Sequence, residues 1–137
     1  MNEKRVEEIV RELLIEIGED PNREGLVKTP KRIVAALAYL TSGYRSDVEK
    51  LINGARFTQQ SRNMIVVKNI EIYSLCEHHM LPFFGKCHIG YIPRGKVFGV
   101  SKLARLADMY SRRLQIQERV TEQLAKTVMN SIKGLGV

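Results

Sequence analysis

Apolar residues in the first third of the chain recur at helical spacing. Between residues 6 and 17 they fall three or four positions apart, and Gly18 follows as a helix stop. A second stripe begins after Thr29-Pro30, where a capping residue precedes a proline suited to the first helical position, and Gly43 ends it. The pattern predicts two amphipathic helices, each of which needs a partner surface within the subunit or on a neighbour.

The pattern changes to β-rich runs from residue 63. Residues 63–75 and 85–92 are rich in β-branched and aromatic side chains, and a turn at Pro82 separates them. We expect the two strands to pair as an antiparallel ladder, with a short extended piece at 97–100. The polar residues 45–62 before them predict a linking loop that contains one helical turn.

Helical spacing returns in the last third of the chain. Ser101 is placed to cap a helix that continues to about Tyr110, and a further apolar stripe covers residues 116–132. The order of two helices, two strands and two helices predicts an α+β fold.

Composition fits one globular domain. The chain has 137 residues, of which 44% are hydrophobic and 27% charged, which is enough for one core and too few for two. We expect a single domain over 1–137, with a helical part at 1–44 and a sheet-containing part at 63–137.

No apolar run approaches the roughly 18 residues of a membrane span, and the charged start is unlike a signal peptide. The two cysteines make no disulfide framework, which predicts a cytoplasmic protein.

The net charge of +7 favours an anionic partner. Nucleic acid, a membrane surface and a small phosphorylated ligand would all fit, because the basic residues are spread along the chain rather than gathered in one run. Charge alone leaves these alternatives open.

The segment richest in chemistry is Cys76-Glu77-His78-His79. Cys76 and His79 have the spacing at which one turn can place a thiolate and an imidazole on one metal ion, and mixed sulfur and nitrogen ligands favour zinc. His78 would then be free for proton transfer. The alternative is that these side chains are structural or incidental. Cys87 and His88 alternate along a strand, so both are interpreted as structural.

Two further segments carry candidate binding residues. Ser101, Lys102 and Arg105 begin a helix, whose N-terminus suits phosphate, although a capped helix with solvated basic residues gives the same pattern. Glu118 is a candidate reader of a guanine edge, because a carboxylate accepts bidentately from N–H and NH₂ groups. Glu118 and Glu122 would equally fit an ordinary solvated helix face.

The chain resembles the GTP cyclohydrolase I family along nearly its whole length. The resemblance lies in GEDPNREGL and TPKR near the start, CEHH followed by PF, GK and HIGYIP in the middle, and GVSKLAR and RRLQIQER towards the end. It implies a zinc enzyme in which Cys76 and His79 bind the metal, zinc-bound water attacks C8 of GTP, and His78 transfers protons. The implied products are formate and 7,8-dihydroneopterin triphosphate, in the first step of tetrahydrofolate and pterin biosynthesis.

The resemblance also assigns the substrate contacts. Glu118, with Gln117 beside it, would hold the guanine edge, and Ser101, Lys102 and Arg105 would contact the triphosphate. The implied fold is the tunnelling fold, or T-fold, whose subunits form barrels stacked into a homo-oligomer, usually a decamer, with active sites between subunits.

The family pattern continues beyond residue 137 into a strand pair that carries the third zinc ligand. We therefore expect this chain to lack the C-terminal strands, and expect the 137-residue form to be inactive or nearly so while the full-length protein is active. The main alternative is a non-catalytic or regulatory purine- or pterin-binding relative that keeps Glu118. A nucleic-acid-binding domain is disfavoured, because no recognised nucleic-acid motif is present, and no membrane partner is expected.

Overall fold

The computed structural model describes all 137 residues, in two units, residues 1–40 and 41–137. The first unit contains helices α1 (Glu3–Glu16) and α2 (Thr29–Leu40). The Asn2 side chain caps α1 by accepting a hydrogen bond from the Arg5 amide, and Gly18 follows the helix with a φ of 89°. Both helices predicted from the apolar stripes are therefore confirmed.

The second unit combines short helices with two small sheets. A 3₁₀ helix at Ser42–Arg45 and helix α3 (Val48–Ile52) lead into strand β1 (Arg56–Thr58). The long strands β2 (Ile65–Cys76) and β3 (Pro82–Tyr91) follow, and β4 (Lys96–Phe98) precedes helix α4 (Val100–Ser111). Strand β5 (Leu114–Gln115) and helix α5 (Gln117–Ile132) complete the order.

Strand β2 is the centre of the larger sheet, whose order is β3-β2-β5. It pairs antiparallel with β3, as expected, and parallel with the two-residue β5. A register shift interrupts the β2–β3 ladder, where Asn69 has a φ of 60° and its N–H donates to His88 Nδ1 at 3.2 Å. His88 therefore supports a β-bulge, in keeping with its interpretation as structural.

The smaller sheet pairs β1 with β4 antiparallel. Neither β1 nor β5 is visible in the sequence pattern, because each is too short to show alternation and forms only through its distant partner. The mixture of helices and antiparallel strands confirms the α+β class.

Helices α4 and α5 cover the larger sheet and enclose the core. The cluster of fully buried apolar side chains includes Ile52, Tyr91, Leu106 and Val128. The Tyr91 hydroxyl accepts a hydrogen bond from the Phe98 amide at 3.1 Å, which joins β3 to β4 within this core. No helix combines the length and the apolar character that crossing a membrane requires.

The start of α4 corrects one expectation. Gly99, not Ser101, is the N-cap, and Ser101 lies inside the first turn. The Gly99 amide donates to Ala55 O at 3.0 Å, which keeps the chain extended up to Gly99 and lets the helix begin at Val100.

Candidate active site

A tight connection between β2 and β3 carries the Cys-Glu-His-His segment. The Cys76 amide donates to Leu81 O and the Met80 amide donates to Cys76 O, both at 2.8 Å. Met80 completes the turn with a φ of 57°, in the left-handed region that side chains seldom adopt. Two hydrogen bonds and one strained residue therefore fix the backbone between Cys76 and His79.

This turn brings together the two side chains that the sequence pairs as metal ligands. Cys76 Sγ lies 3.6 Å from His79 Nδ1. A tetrahedral zinc ion, with bonds of about 2.3 Å to sulfur and about 2.05 Å to nitrogen, holds two such atoms about 3.6 Å apart. The donor pair fits zinc in chemistry and in spacing. No group of three or more His, Cys, Asp or Glu side chains with metal-binding placement is present in the chain.

Glu77 in the same turn forms an ion pair that the sequence did not indicate. The two terminal guanidinium nitrogens of Arg119, in the first turn of α5, contact its two carboxylate oxygens. These hydrogen bonds hold the pKa of the Glu77 carboxyl below its usual value. The His78 imidazole is also near this carboxylate, with Nε2 at 3.9 Å from Glu77 Oε1, and 65% of its side chain is exposed.

The turn also lies next to the start of α5, where the candidate guanine contacts begin. Cys76 pairs with Gln115 in the parallel ladder, and the Glu77 amide donates to Gln115 O at 3.2 Å. Gln117 and Glu118 follow as exposed residues in the first turn of α5. Sequence reasoning found these two segments separately, and the strand pairing joins them.

A groove runs between β3 and α5 beside this site. It encloses about 530 Å³ and is lined by Gln117, Phe83 and Phe84 among other residues. Cys87 also lies along it, half-buried, and burial raises the pKa of the Cys87 thiol.

The candidate phosphate contacts lie in a different part of the unit. Arg105 lines a second cleft of about 500 Å³ together with Glu71 and Asp108, and this cleft shares no residue with the groove beside α5. Ser101 is exposed, whereas Lys102 Nζ donates to Leu51 O at 2.9 Å near the end of α3. Within one chain, the phosphate and guanine candidates therefore do not share a cleft.

Comparison with known proteins identifies relatives that match nearly the whole chain. The sequence model of the GTP cyclohydrolase I family matches residues 6–137. A GTP cyclohydrolase 1 of Leptospira biflexa is 52% identical over 132 residues, covering 96% of this chain and 72% of the relative. The GTP cyclohydrolase 1 of Methylococcus capsulatus is 53% identical over 132 residues, which cover 96% of this chain and 71% of the relative. The GTP cyclohydrolase 1 of a Synechococcus strain is 58% identical over 128 residues, which cover 93% of this chain and 56% of the relative.

The matched region contains the Cys76–His79 turn, the start of α4 and the start of α5. Sequence identity above 50% over nearly the entire chain is far more than a shared fold alone requires. The chain therefore belongs to the GTP cyclohydrolase I family of enzymes.

Proposed function

We propose that this protein opens the imidazole ring of GTP by zinc-dependent hydrolysis at C8 and yields formate and 7,8-dihydroneopterin triphosphate. The reaction would be the first step of tetrahydrofolate and pterin biosynthesis, in the cytoplasm. The observation that carries the proposal is the 3.6 Å separation of Cys76 Sγ and His79 Nδ1, which matches two ligands of one zinc ion.

Cys76 and His79 would hold the metal as two of its protein ligands. A zinc ion bound there would lower the pKa of a coordinated water to about 7 and so supply a nucleophile at neutral pH. The family resemblance assigns the third ligand to a cysteine that follows residue 137. Leu135 and Gly136 form an antiparallel bridge with Ile92 just beyond β3, so the residues after α5 run along this edge of the sheet.

His78 would move protons during ring opening and loss of formate. Its imidazole is exposed beside the metal ligands rather than directed into the core. An imidazole can both accept and donate a proton near neutral pH, which C–N cleavage and the later ring closure both require.

Glu118 and Gln117 would hold the guanine edge. The Glu118 carboxylate is exposed in the first turn of α5, next to the turn that carries His78 and His79. A carboxylate that accepts hydrogen bonds from guanine N1–H and the 2-amino group distinguishes guanine from adenine, which offers no such pair of donors.

Ser101, Lys102 and Arg105 would contact the triphosphate. Because they line a different part of the unit from Glu118, we propose that a site is completed between two subunits of a homo-oligomer, which the family resemblance gives as a decamer. The exposed Arg105 guanidinium and the Ser101 hydroxyl would then reach the triphosphate held at a neighbour's guanine site.

A non-catalytic purine- or pterin-binding protein is the second candidate. One observation favours it, namely that the chain holds no group of three metal-binding side chains. Such a protein would bind GTP through Glu118 without zinc.

Formate release from GTP separates the two candidates. The 137-residue chain, and the same chain joined to the C-terminal segment of the Leptospira relative, are assayed with and without zinc. We expect slow release from the chain alone, rapid zinc-dependent release from the extended form, and loss of release in its Cys76→Ser and His78→Ala variants. Zinc-independent GTP binding without formate in both forms would establish the second candidate instead.

A further inference from the structure

The ion pair between Glu77 and Arg119 joins the Cys76–His79 turn to helix α5. Arg119 Nη2 lies 3.1 Å from Glu77 Oε1, and Nη1 contacts Oε2. The side chains are 42% and 27% exposed, so the pair is shielded in part from solvent. A bidentate guanidinium–carboxylate contact fixes orientation as well as distance, because two parallel hydrogen bonds prevent rotation.

The position of Arg119 is otherwise unfavourable. It lies in the first turn of α5, where the helix macrodipole favours negative charge. Ile116, the N-cap, contributes no side-chain hydrogen bond to this helix start. The Glu77 carboxylate supplies a negative charge there from the neighbouring turn.

Little else attaches this turn to the helix. The β2–β5 ladder is two residues long, and its last backbone bond is the 3.2 Å contact from the Glu77 amide to Gln115 O. Beyond Glu77 the turn is exposed through His78, His79 and Met80. The side-chain pair is therefore a second attachment, which adds to the backbone bond at Glu77 and ties this residue directly to α5.

We infer that Arg119 is a positioning residue, which through Glu77 sets the Cys76–His79 donor pair in a fixed relation to Glu118. This inference rests on the proposed function, in which the donor pair binds zinc and Glu118 binds guanine. Arg119 directly follows Glu118, and His78 directly follows Glu77, so one ion pair aligns the metal ligands, the proton-transferring imidazole and the base-reading carboxylate. It also occupies the Glu77 carboxylate, which keeps that group from competing as a metal ligand.

The test compares Arg119→Ala, Arg119→Lys and Glu77→Ala with the wild-type chain. Lys126→Ala is the matched control, because Lys126 forms an exposed ion pair with Glu122 further along the same helix. Hydrogen exchange of the Glu77 amide is measured on the metal-free protein, zinc affinity by competition with a chromophoric chelator, and global stability by thermal unfolding.

We expect Arg119→Ala and Glu77→Ala to accelerate exchange of the Glu77 amide. Each variant should weaken zinc binding about tenfold, the lower end of the usual effect of losing a group that orients metal ligands. The zinc affinity of Arg119→Lys should lie between those of the wild type and Arg119→Ala, because an ammonium keeps the charge but cannot make the bidentate contact. A double variant that combines Arg119→Ala with Glu77→Ala should lose no more zinc affinity than either single variant, since both changes remove the same interaction. Lys126→Ala should match the wild type.

Wild-type exchange and wild-type zinc affinity in both alanine variants would overturn the inference. So would a loss in Arg119→Ala that Glu77→Ala does not reproduce, because Arg119 would then act through another group. An equal fall in thermal stability with unchanged zinc affinity would make the pair structural only. Failure of the proposed function looks different, because the extended form, which carries the C-terminal segment of the Leptospira relative, would then release no formate. Exchange of the Glu77 amide would still test the role of the ion pair on protein without metal or GTP.

Discussion

At the scale of single residues, Gly43 determines how closely the backbone can approach the end of α4. A Cβ atom at this position would lie 1.9 Å from Met109 O and 2.8 Å from Arg112 O. The Gly43 amide donates to Arg112 O at 3.0 Å, and Arg113 Nη2 donates to Gly43 O at 2.9 Å. This contact fixes the residues that lead into β5, and so the start of α5.

We predict that Gly43→Ala lowers the free energy of unfolding by about 3 kcal/mol, because the new methyl group meets backbone oxygen atoms that cannot move aside. Gly85→Ala is the control, since a Cβ there meets nothing within 4 Å, and its effect should stay within about 0.5 kcal/mol. Urea denaturation measures both. Equal stability of the two variants would show that the approach of Gly43 to α4 is looser than described.

The sequence indicates some residue roles and conceals others. The spacing of Cys76 and His79 predicts their pairing because both lie in one turn. The partnership of Glu77 with Arg119 spans 42 positions and has no periodic signal. The close packing of Gly43 is hidden for the same reason, since its partners lie on α4, and the sequence indicated only a helix stop.

At the scale of elements, the long helices and the β2–β3 pair are predictable, because burial of one face imposes a period on the sequence. Strands β1 and β5 are not, since two or three residues show no period and their pairing depends on tertiary contacts. Helix α4 shows a similar effect at its start, where pairing of Gly99 with Ala55 moves the cap away from Ser101. The resemblance placed candidate site residues on these elements without revealing the β5 link between them.

Two basic residues on α4 should behave differently when replaced. We predict that Lys102→Met costs about 1 kcal/mol of stability, because its ammonium loses the 2.9 Å bond to Leu51 O near the end of α3. Arg105→Gln should leave stability within about 0.5 kcal/mol and raise KM for GTP, because the exposed guanidinium is proposed to contact phosphate. Thermal unfolding and steady-state kinetics of the extended, active form test both. Because Lys102 is also a proposed triphosphate contact, Lys102→Met should raise KM for GTP as well. An unchanged KM in this variant would remove Lys102 from the proposed triphosphate contacts.

At the scale of the whole molecule, exposed apolar side chains support the proposed homo-oligomer. On α1 and its C-cap, Ile9, Leu13 and Ile17 follow each other at intervals of one helical turn and are 46%, 55% and 64% exposed. On the sheet, Tyr73 and Phe84 are 44% and 81% exposed. Apolar surface of this kind is typical of a protein–protein interface.

We predict that light scattering finds a particle several times the 15.7 kDa mass of one chain. Leu13→Gln should make this assembly dissociate on dilution, because it replaces an apolar contact with an amide. Glu8→Gln, which introduces the same side chain on α1 outside the apolar stripe, should not. A wild-type particle of one chain would contradict the homo-oligomer.

The most direct test of the central claim is a titration of the 137-residue chain, whose two cysteines are Cys76 and Cys87, with Co²⁺. The charge-transfer absorbance of a thiolate bound to the metal is followed. Cobalt accepts the ligands and geometry of a zinc site, and its thiolate band reports which cysteine coordinates. We predict that the band appears in the wild type, is lost in Cys76→Ser and His79→Ala, and persists in Cys87→Ser. A band that survives Cys76→Ser, or that disappears with Cys87→Ser, would contradict the assignment of the metal site to the Cys76–His79 turn.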